Sequence, residues 1–597
     1  MGESLSKPVK VARDVWMIPD LCNVYVLKAG KSGLAIDFGS GAWMQRLPTL
    51  GIERIEQVLL THHHADQCAG LAGAAEREFM VRSPAGEKPN IDPADLARRI
   101  QEWKKLAYTP YFHSAALWQG VPGVVCDLYP DSELWFGPFC LRIVHTPGHG
   151  MHACSYVVEA GDLQLCFCGD AAHAGATIWE PYHLEWDHWT GEGALAAWQG
   201  IKRLLGIGID RLLPSHGPLI ESAPDRTLLA LAGKLLTFYN AKGCIAPGEK
   251  DHFIAPTQIF GGTRRYLDAL YQFGGNGYLL VSKTNEGLVV DPALADLPFL
   301  DNLLKRLGNV RPTAMLITHC HFDHCDGAAN LQAAYRTRAY LHPKIAEKIG
   351  RPPSGPTPYL PVKPVQADVL LPENGMWTWN EYEFRVAHWP GQTWWHAAYL
   401  TTVNRQKVLF GGDSFQPVSR WNGTGGFCAN NNSRFREGFI PSARLMLAWQ
   451  PDILANGHRC VFRFTESRFR QIIDWAYFAE RAVLALCPSG DLEADYYKPY
   501  HPHERKVMAP KPETAKLPER QAESTVRQAP APAKKAVPVS APKAKDKPRP
   551  NKIAKATKTV GRVKPKAKPV VRQTPVVRQT PVVRHAASKK KQKRERG

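Results

Sequence analysis

At 597 residues the chain exceeds the size at which a single hydrophobic core keeps growing, so two or more domains are expected. Its formal charge of +20 would suggest a nucleic-acid or membrane-surface protein if evenly spread, but residues 501–597 carry 28 Lys+Arg against 6 Asp+Glu, leaving 47 against 49 before them. The basicity belongs to the tail, and the near-neutral body gives no electrostatic reason to expect a polyanionic ligand.

The first elements are Asn23-Val24-Tyr25-Val26-Leu27 and Gly33-Leu34-Ala35-Ile36-Asp37, two β-rich runs around a Lys/Gly turn. The apolar run Val58-Leu59-Leu60 then reads as a short buried strand that delivers Thr61-His62-His63-His64-Ala65-Asp66-Gln67. Asp66 to Phe79 reads as a helix behind that phrase, and Pro93 to Lys105 as another, with Asp92 as its N-cap. Three further apolar runs follow, ending in Thr146-Pro147-Gly148-His149, in Gly169-Asp170 and in Ser215-His216-Gly217. Each offers a polar residue that could bind metal, as when a site is built from loops along one sheet edge.

The series then repeats. Asn276 to Leu280 and Gly287 to Asp291 match the opening pair, and Ala314-Met315-Leu316-Ile317 delivers Thr318-His319-Cys320-His321-Phe322-Asp323-His324. His388-Trp389-Pro390-Gly391, Gly412-Asp413 and Gly457-His458 complete it, and a helix from Glu466 to about Leu486 closes the copy. Such shared order argues for a duplicated domain, with a first domain at 1–243, a linker at 244–262, a second domain at 263–500 and a tail at 501–597. The tail, rich in Lys, Pro and Ala, cannot bury enough apolar surface to offset its chain entropy and is expected to be disordered. A lone His-x-His is often a packed pair, but imidazoles and a carboxylate repeated after two apolar strands fit the ligand preferences of zinc. The 13 cysteines are too few for a disulfide scaffold, the N-terminus is polar, and no run approaches ~18 apolar residues, which together predict a soluble, cytoplasmic protein with no transmembrane segment.

These residues resemble the metallo-β-lactamase fold superfamily, whose signature is His-x-His-x-Asp-His followed by a later His, Asp and His. The resemblance runs from Val11 to Pro488 as two consecutive copies, and the glyoxalase II-like branch is closest in wording. It implies an α+β fold of two αββα sandwiches followed by the basic tail, with metals at one edge of each sandwich. Carried over, His62, His64 and His149 would hold one metal, Asp66 and His216 a second, and Asp170 would bridge; Gln67 stands where the family has histidine. In the second copy His319 and His321 take the first metal, Asp323, His324 and His458 the second, and Asp413 bridges. There Gln392 stands at the position of His149, and His396 is a candidate substitute. Zinc is the expected metal, up to two ions per domain, with iron or manganese as alternatives.

The implied activity is hydrolysis of an ester, thioester, lactone or related acyl bond of a small-molecule substrate by metal-bound hydroxide, with Asp66 and Asp323 orienting the nucleophile. The alternatives are a nucleic-acid phosphodiesterase tethered by the tail, a mononuclear iron oxidoreductase, and a scaffold with vestigial sites. The tail itself reads either as a nonspecific tether to nucleic acid or anionic surfaces or as a solubilising extension. Cys68 and Cys325, at the same place in both copies, read as buried spacers. Trp179, Tyr182, Trp186 and Trp189, with Trp389, Trp394 and Trp395, are either core packing or the lining of an acyl pocket. Oligomeric state is open at this level.

Overall fold

A computed structural model describes residues 7–71, 77–106, 117, 119–186, 190–243, 252–351, 360–361, 363–416, 427–429 and 433–497. The expected tail and Trp189 lie outside the described residues.

Each copy is built on two sheets. In the first, seven strands between Val9 and Leu128 form one sheet and five between Glu133 and Pro214 the other. Their inner faces meet in an apolar layer, with Tyr25, Leu34 and Leu59 from one sheet against Leu141, Tyr156 and Phe167 from the other. In the second copy, eight strands between Thr257 and Leu370 face six between Asn374 and Arg463, through Tyr278, Val290 and Leu316 on one side and Phe384, Tyr399 and Phe410 on the other. Because helices cover the outer faces, Ser32–Ile36 is buried along its whole length and reads as an unbroken apolar run rather than an alternating one. Thr257–Phe260, in the stretch read as a linker, pairs antiparallel with Thr263–Leu267 and so joins the second copy's sheet.

The helix Pro93–Leu106 begins as expected, with the Asp92 carboxylate accepting from the N–H groups of Ala94 and Asp95 at 3.1 and 3.0 Å. Of the helix expected over Asp66 to Phe79, the described residues form one turn, Ala65–Cys68, and a 3-10 turn over Ala69–Leu71, and residues 72–76 lie outside the described residues. The Gly70 N–H turns away to the Gly39 carbonyl at 2.8 Å, which ends regular helical bonding there. Glu466–Leu484 forms the closing helix of the second copy.

The outer helical layers of the two copies fuse into one core. Glu192–Leu204 and Pro224–Gly243 pack with Ile440–Trp449 and Glu466–Leu484 around Leu228, Leu235, Phe238, Phe439, Ile472 and Trp475. Inside it the buried Glu185 carboxylate accepts from the Ala429 N–H at 2.7 Å and from the Tyr496 hydroxyl, with Lys242 Nζ 3.8 Å away. Lys242 donates in turn to the Phe427 carbonyl at 2.9 Å, and Trp475 Nε1–H to the Ala241 carbonyl at 2.7 Å. The copies therefore meet through a buried, hydrogen-bonded contact. Among the described residues no helix is long and apolar enough to cross a membrane.

One local device recurs. The strands Leu163–Gly169 and Gln406–Gly412 both slip register against their parallel neighbours just before the aspartate. Gly169 and Gly412 then take φ of 56° and 50°, a left-handed conformation that costs glycine nothing. A Cβ on Gly412 would fall 2.3 Å from Thr318 Oγ1, so glycine also lets Asp413 approach the histidine loop.

Candidate metal centres

In the first copy four strand ends bring the signature residues together. One nitrogen from each of His62, His64 and His149 lies within 4.8 Å of the others, and all three rings are buried. His64 Nδ1 faces His149 Nε2 at 3.0 Å, and Asp170 Oδ2 lies 3.7 Å from both His62 Nε2 and His149 Nε2. Asp66 and His216 meet on the solvent side: His216 Nε2 is 3.1 Å from Asp66 Oδ2, and its Nδ1 is 2.8 Å from Asp170 Oδ1. Gln67 is fully buried, and its Nε2 donates to Asp170 Oδ2 at 3.1 Å.

Among the described residues the second copy forms three groups, His319/His321/Asp413, Asp323/His324/His458 and Asp291/His319/His324, the last sharing one histidine with each of the others. His324 Nε2 lies 3.3 Å from Asp413 Oδ1, and His458 Nε2 lies 2.9 Å from Asp413 Oδ2 and 3.4 Å from Asp323 Oδ2. Gln392 Nε2 reaches Asp413 Oδ2 at 3.4 Å. His396 is stacked flat on His319, with ring centroids 4.6 Å apart, and both of its nitrogens are engaged, Nε2 by the Gly411 carbonyl at 3.0 Å and Nδ1 by Ser414 Oγ at 3.2 Å.

A second layer of residues orients the imidazoles. Thr61 donates its hydroxyl proton to Asp37, as Thr318 does to Asp291, and each hydroxyl then accepts from the neighbouring imidazole Nδ1–H, at 2.9 Å for His62 and 3.0 Å for His319. That leaves the lone pairs on His62 Nε2 and His319 Nε2, two buried atoms with no hydrogen-bond partner. Burial also disfavours charge on these rings: His62 is pushed down to about 4, and His64, His149 and His319 well below the usual histidine range. Neutral imidazoles with converging lone pairs suit a divalent cation, and a borderline metal such as zinc fits this nitrogen-and-oxygen set. His216 behaves oppositely: burial opposes its charge, yet Asp170 and Asp66 raise it well above the usual range.

Two participants carry no signature in the sequence. His183, in the 3-10 turn Pro181–Leu184, packs its ring 4.3 Å from that of His64 and 4.7 Å from that of His149. Glu87 is fully buried against His63 Nδ1 at 2.7 Å; burial alone would raise it, but His63 holds it down to about 2. Neither stands at a spacing the metal signature specifies, and only the packing of loops distant in sequence reveals them. The aromatics divide. Trp389 is a core residue whose Nε1–H donates to the Ser442 carbonyl at 3.0 Å, whereas half-buried Trp179 stacks over His216 at 4.4 Å and 8°. Cys68 and Cys325 are buried thiols that point at the His64 and His321 carbonyls, 3.1 and 3.2 Å away.

Comparison with known proteins agrees with this geometry. The model for the metallo-beta-lactamase superfamily matches residues 17–223 and 270–458. A hydroxyacylglutathione hydrolase of Bdellovibrio bacteriovorus is 33% identical over 130 residues, covering 22% of this chain and 44% of that protein. A lactamase-like protein of Pestalotiopsis microspora is 26% identical over 222 residues, covering 36% and 54%. The chain thus spans about half the length of these curated relatives. Among solved structures, a subclass B3 metallo-beta-lactamase isolated from a soil metagenome library aligns at 14% identity and a TM-score of 0.32, covering 40% of this chain and 96% of that one. With the signature matched twice over more than half its length, the chain belongs to the metallo-beta-lactamase superfamily.

Proposed function

We propose that the chain is a metal-dependent hydrolase of thioesters or related acyl bonds in a small-molecule substrate. The observation that carries this reading is the convergence of His62, His64 and His149, three buried imidazoles, beside the partly exposed carboxylate of Asp66. A divalent cation bound there would bring the pKa of its water to about 7 and polarise the acyl carbonyl. Asp66, whose side chain is 28% exposed where that of Asp170 is 2% exposed, is the carboxylate within reach of an entering substrate. It would orient the attacking water and accept its proton, and Asp323, 32% exposed, would do the same in the second copy. Trp179, stacked on His216, offers a flat apolar face beside the carboxylates on which an acyl group could rest. The curated relatives named hydroxyacylglutathione hydrolase support a thioester as the first substrate class to test.

The test is a panel of a hydroxyacyl-glutathione thioester, a lactone and a phosphodiester, offered to the zinc-loaded full chain. Turnover of the thioester or lactone without the phosphodiester is expected. Turnover of the phosphodiester alone would overturn the proposal.

A further inference from the structure

The two copies differ at the end of the histidine phrase, and the structure shows that this difference is compensated elsewhere. In the second copy His324 Nδ1–H donates to Asp291 Oδ2 at 2.9 Å, which aims its other nitrogen at Asp413. Gly457 leaves the room for that ring: a Cβ there would lie 2.6 Å from His324 Cε1 and 2.3 Å from Asp413 Oδ1. The first copy has Gln67 in place of the histidine and Ser215 in place of that glycine.

Both replacements make bonds that stand in for what was lost. The Ser215 hydroxyl donates to Asp37 Oδ2 at 2.7 Å, taking on Asp37 the acceptor that His324 takes on Asp291. Gln67 turns its amide to Asp170 Oδ2 at 3.1 Å, the carboxylate that would otherwise bridge two cations. His216 completes the closure, lying between Asp170 Oδ1 at 2.8 Å and Asp66 Oδ2 at 3.1 Å. In both copies an amide N–H and an imidazole reach the central carboxylate, Gln392 and His458 doing so on Asp413; what sets the first copy apart is that Ser215 occupies the space the histidine would need and fills its acceptor on Asp37. A chance loss of one ligand would leave an open acceptor on Asp37. Here the acceptor is filled.

We infer that the first copy is a one-cation centre, its His62/His64/His149 position retained and its second position rebuilt by Gln67 and Ser215 together, while the second copy keeps Asp323, His324 and His458 as ligands. The inference rests on the metal-dependent reading above. It makes Asp66 a carboxylate held by His216 rather than a ligand.

The test is to strip the full chain of metal, titrate it with Co²⁺ alone, and count the ions retained after gel filtration for the wild type and four variants. His62→Ala and Asp323→Ala should each lower the count by one, and Asp66→Ala should leave it unchanged. Gln67→His combined with Ser215→Gly should raise it by one. Loss of an ion with Asp66→Ala would overturn the inference, as would a double variant with wild-type circular dichroism and an unchanged count. If the double variant does not fold, the contrast between Asp66→Ala and Asp323→Ala decides alone. A chain that holds its ions in the expected pattern yet turns over no acyl substrate would sink the hydrolase reading and leave this one standing. No retained ion would overturn both.

Discussion

The Thr61 hydroxyl lies 2.9 Å from His62 Nδ1 and 3.0 Å from Asp37 Oδ2, and Thr318 repeats the relationship with His319 and Asp291. A hydroxyl has one proton, and a buried carboxylate claims it, so the oxygen must accept at the imidazole. That fixes the tautomer presenting Nε2 to the site. Removing the hydroxyl with Thr61→Val should weaken metal binding at the first copy roughly 10- to 100-fold, the usual cost of losing such an outer partner. Thr61→Ser should retain most of the affinity. Competition against a chromophoric chelator measures both, and equal affinity of the valine variant would refute the role.

A pH effect away from the metal centres comes from His342. Its Nδ1 accepts from the Lys344 N–H at 3.2 Å and so caps the helix Pro343–Ile349, while its Nε2–H donates to the Glu373 carbonyl at 2.9 Å. The cap on Nδ1 needs a neutral ring, and burial pushes His342 down to about 4 although the Glu373 carbonyl favours the charged form. The folded state thus binds fewer protons than the unfolded chain between the ordinary histidine value of about 6.5 and about 4. Stability contributed by His342 is present above that window and is lost as pH falls through it, by on the order of 3 kcal/mol. His342→Asn, which can cap without titrating, should flatten this part of the curve in urea denaturation between pH 7 and pH 4. A curve as steep as wild type would assign the pH dependence to other groups.

The contact between the copies makes a stability prediction. Glu185 is fully buried, and burial raises its carboxyl even with Lys242 3.8 Å away and two hydrogen-bond donors in place. Lys242→Met would leave that carboxylate without its cation and should cost about 3–5 kcal/mol. Tyr496→Phe removes one neutral donor and should cost about 1–3 kcal/mol. Chemical denaturation followed by tryptophan fluorescence reads both. Equal midpoints for the two variants would mean that the charge pair is not what holds Glu185.

Much of this architecture was legible in the chain. The apolar runs before Thr61 and Thr318 read as buried strands because parallel strands covered on both faces have no polar side to show. The order of His, Asp and His after them repeated closely enough to give the duplication. What the sequence did not disclose depends on loops meeting in space. His183 joins the first centre from a turn read only as aromatic-rich, Glu87 reaches His63 from a separate segment, and Ser215 reaches Asp37 from the end of the other sheet. Composition favours a continuous helix after His64, while the backbone bond from Gly70 to Gly39 interrupts its regular bonding after Cys68. The fused core was also hidden, since Trp389, Trp475 and Phe439 look alike whether they face a pocket or a neighbouring copy.

The most direct test of the account is the rate of thioester hydrolysis by the full chain before chelation, after it, and after zinc is returned. The account predicts a rate lost on chelation, recovered with zinc, and lowered by His62→Ala or Asp323→Ala. A rate that survives chelation and both substitutions would contradict it.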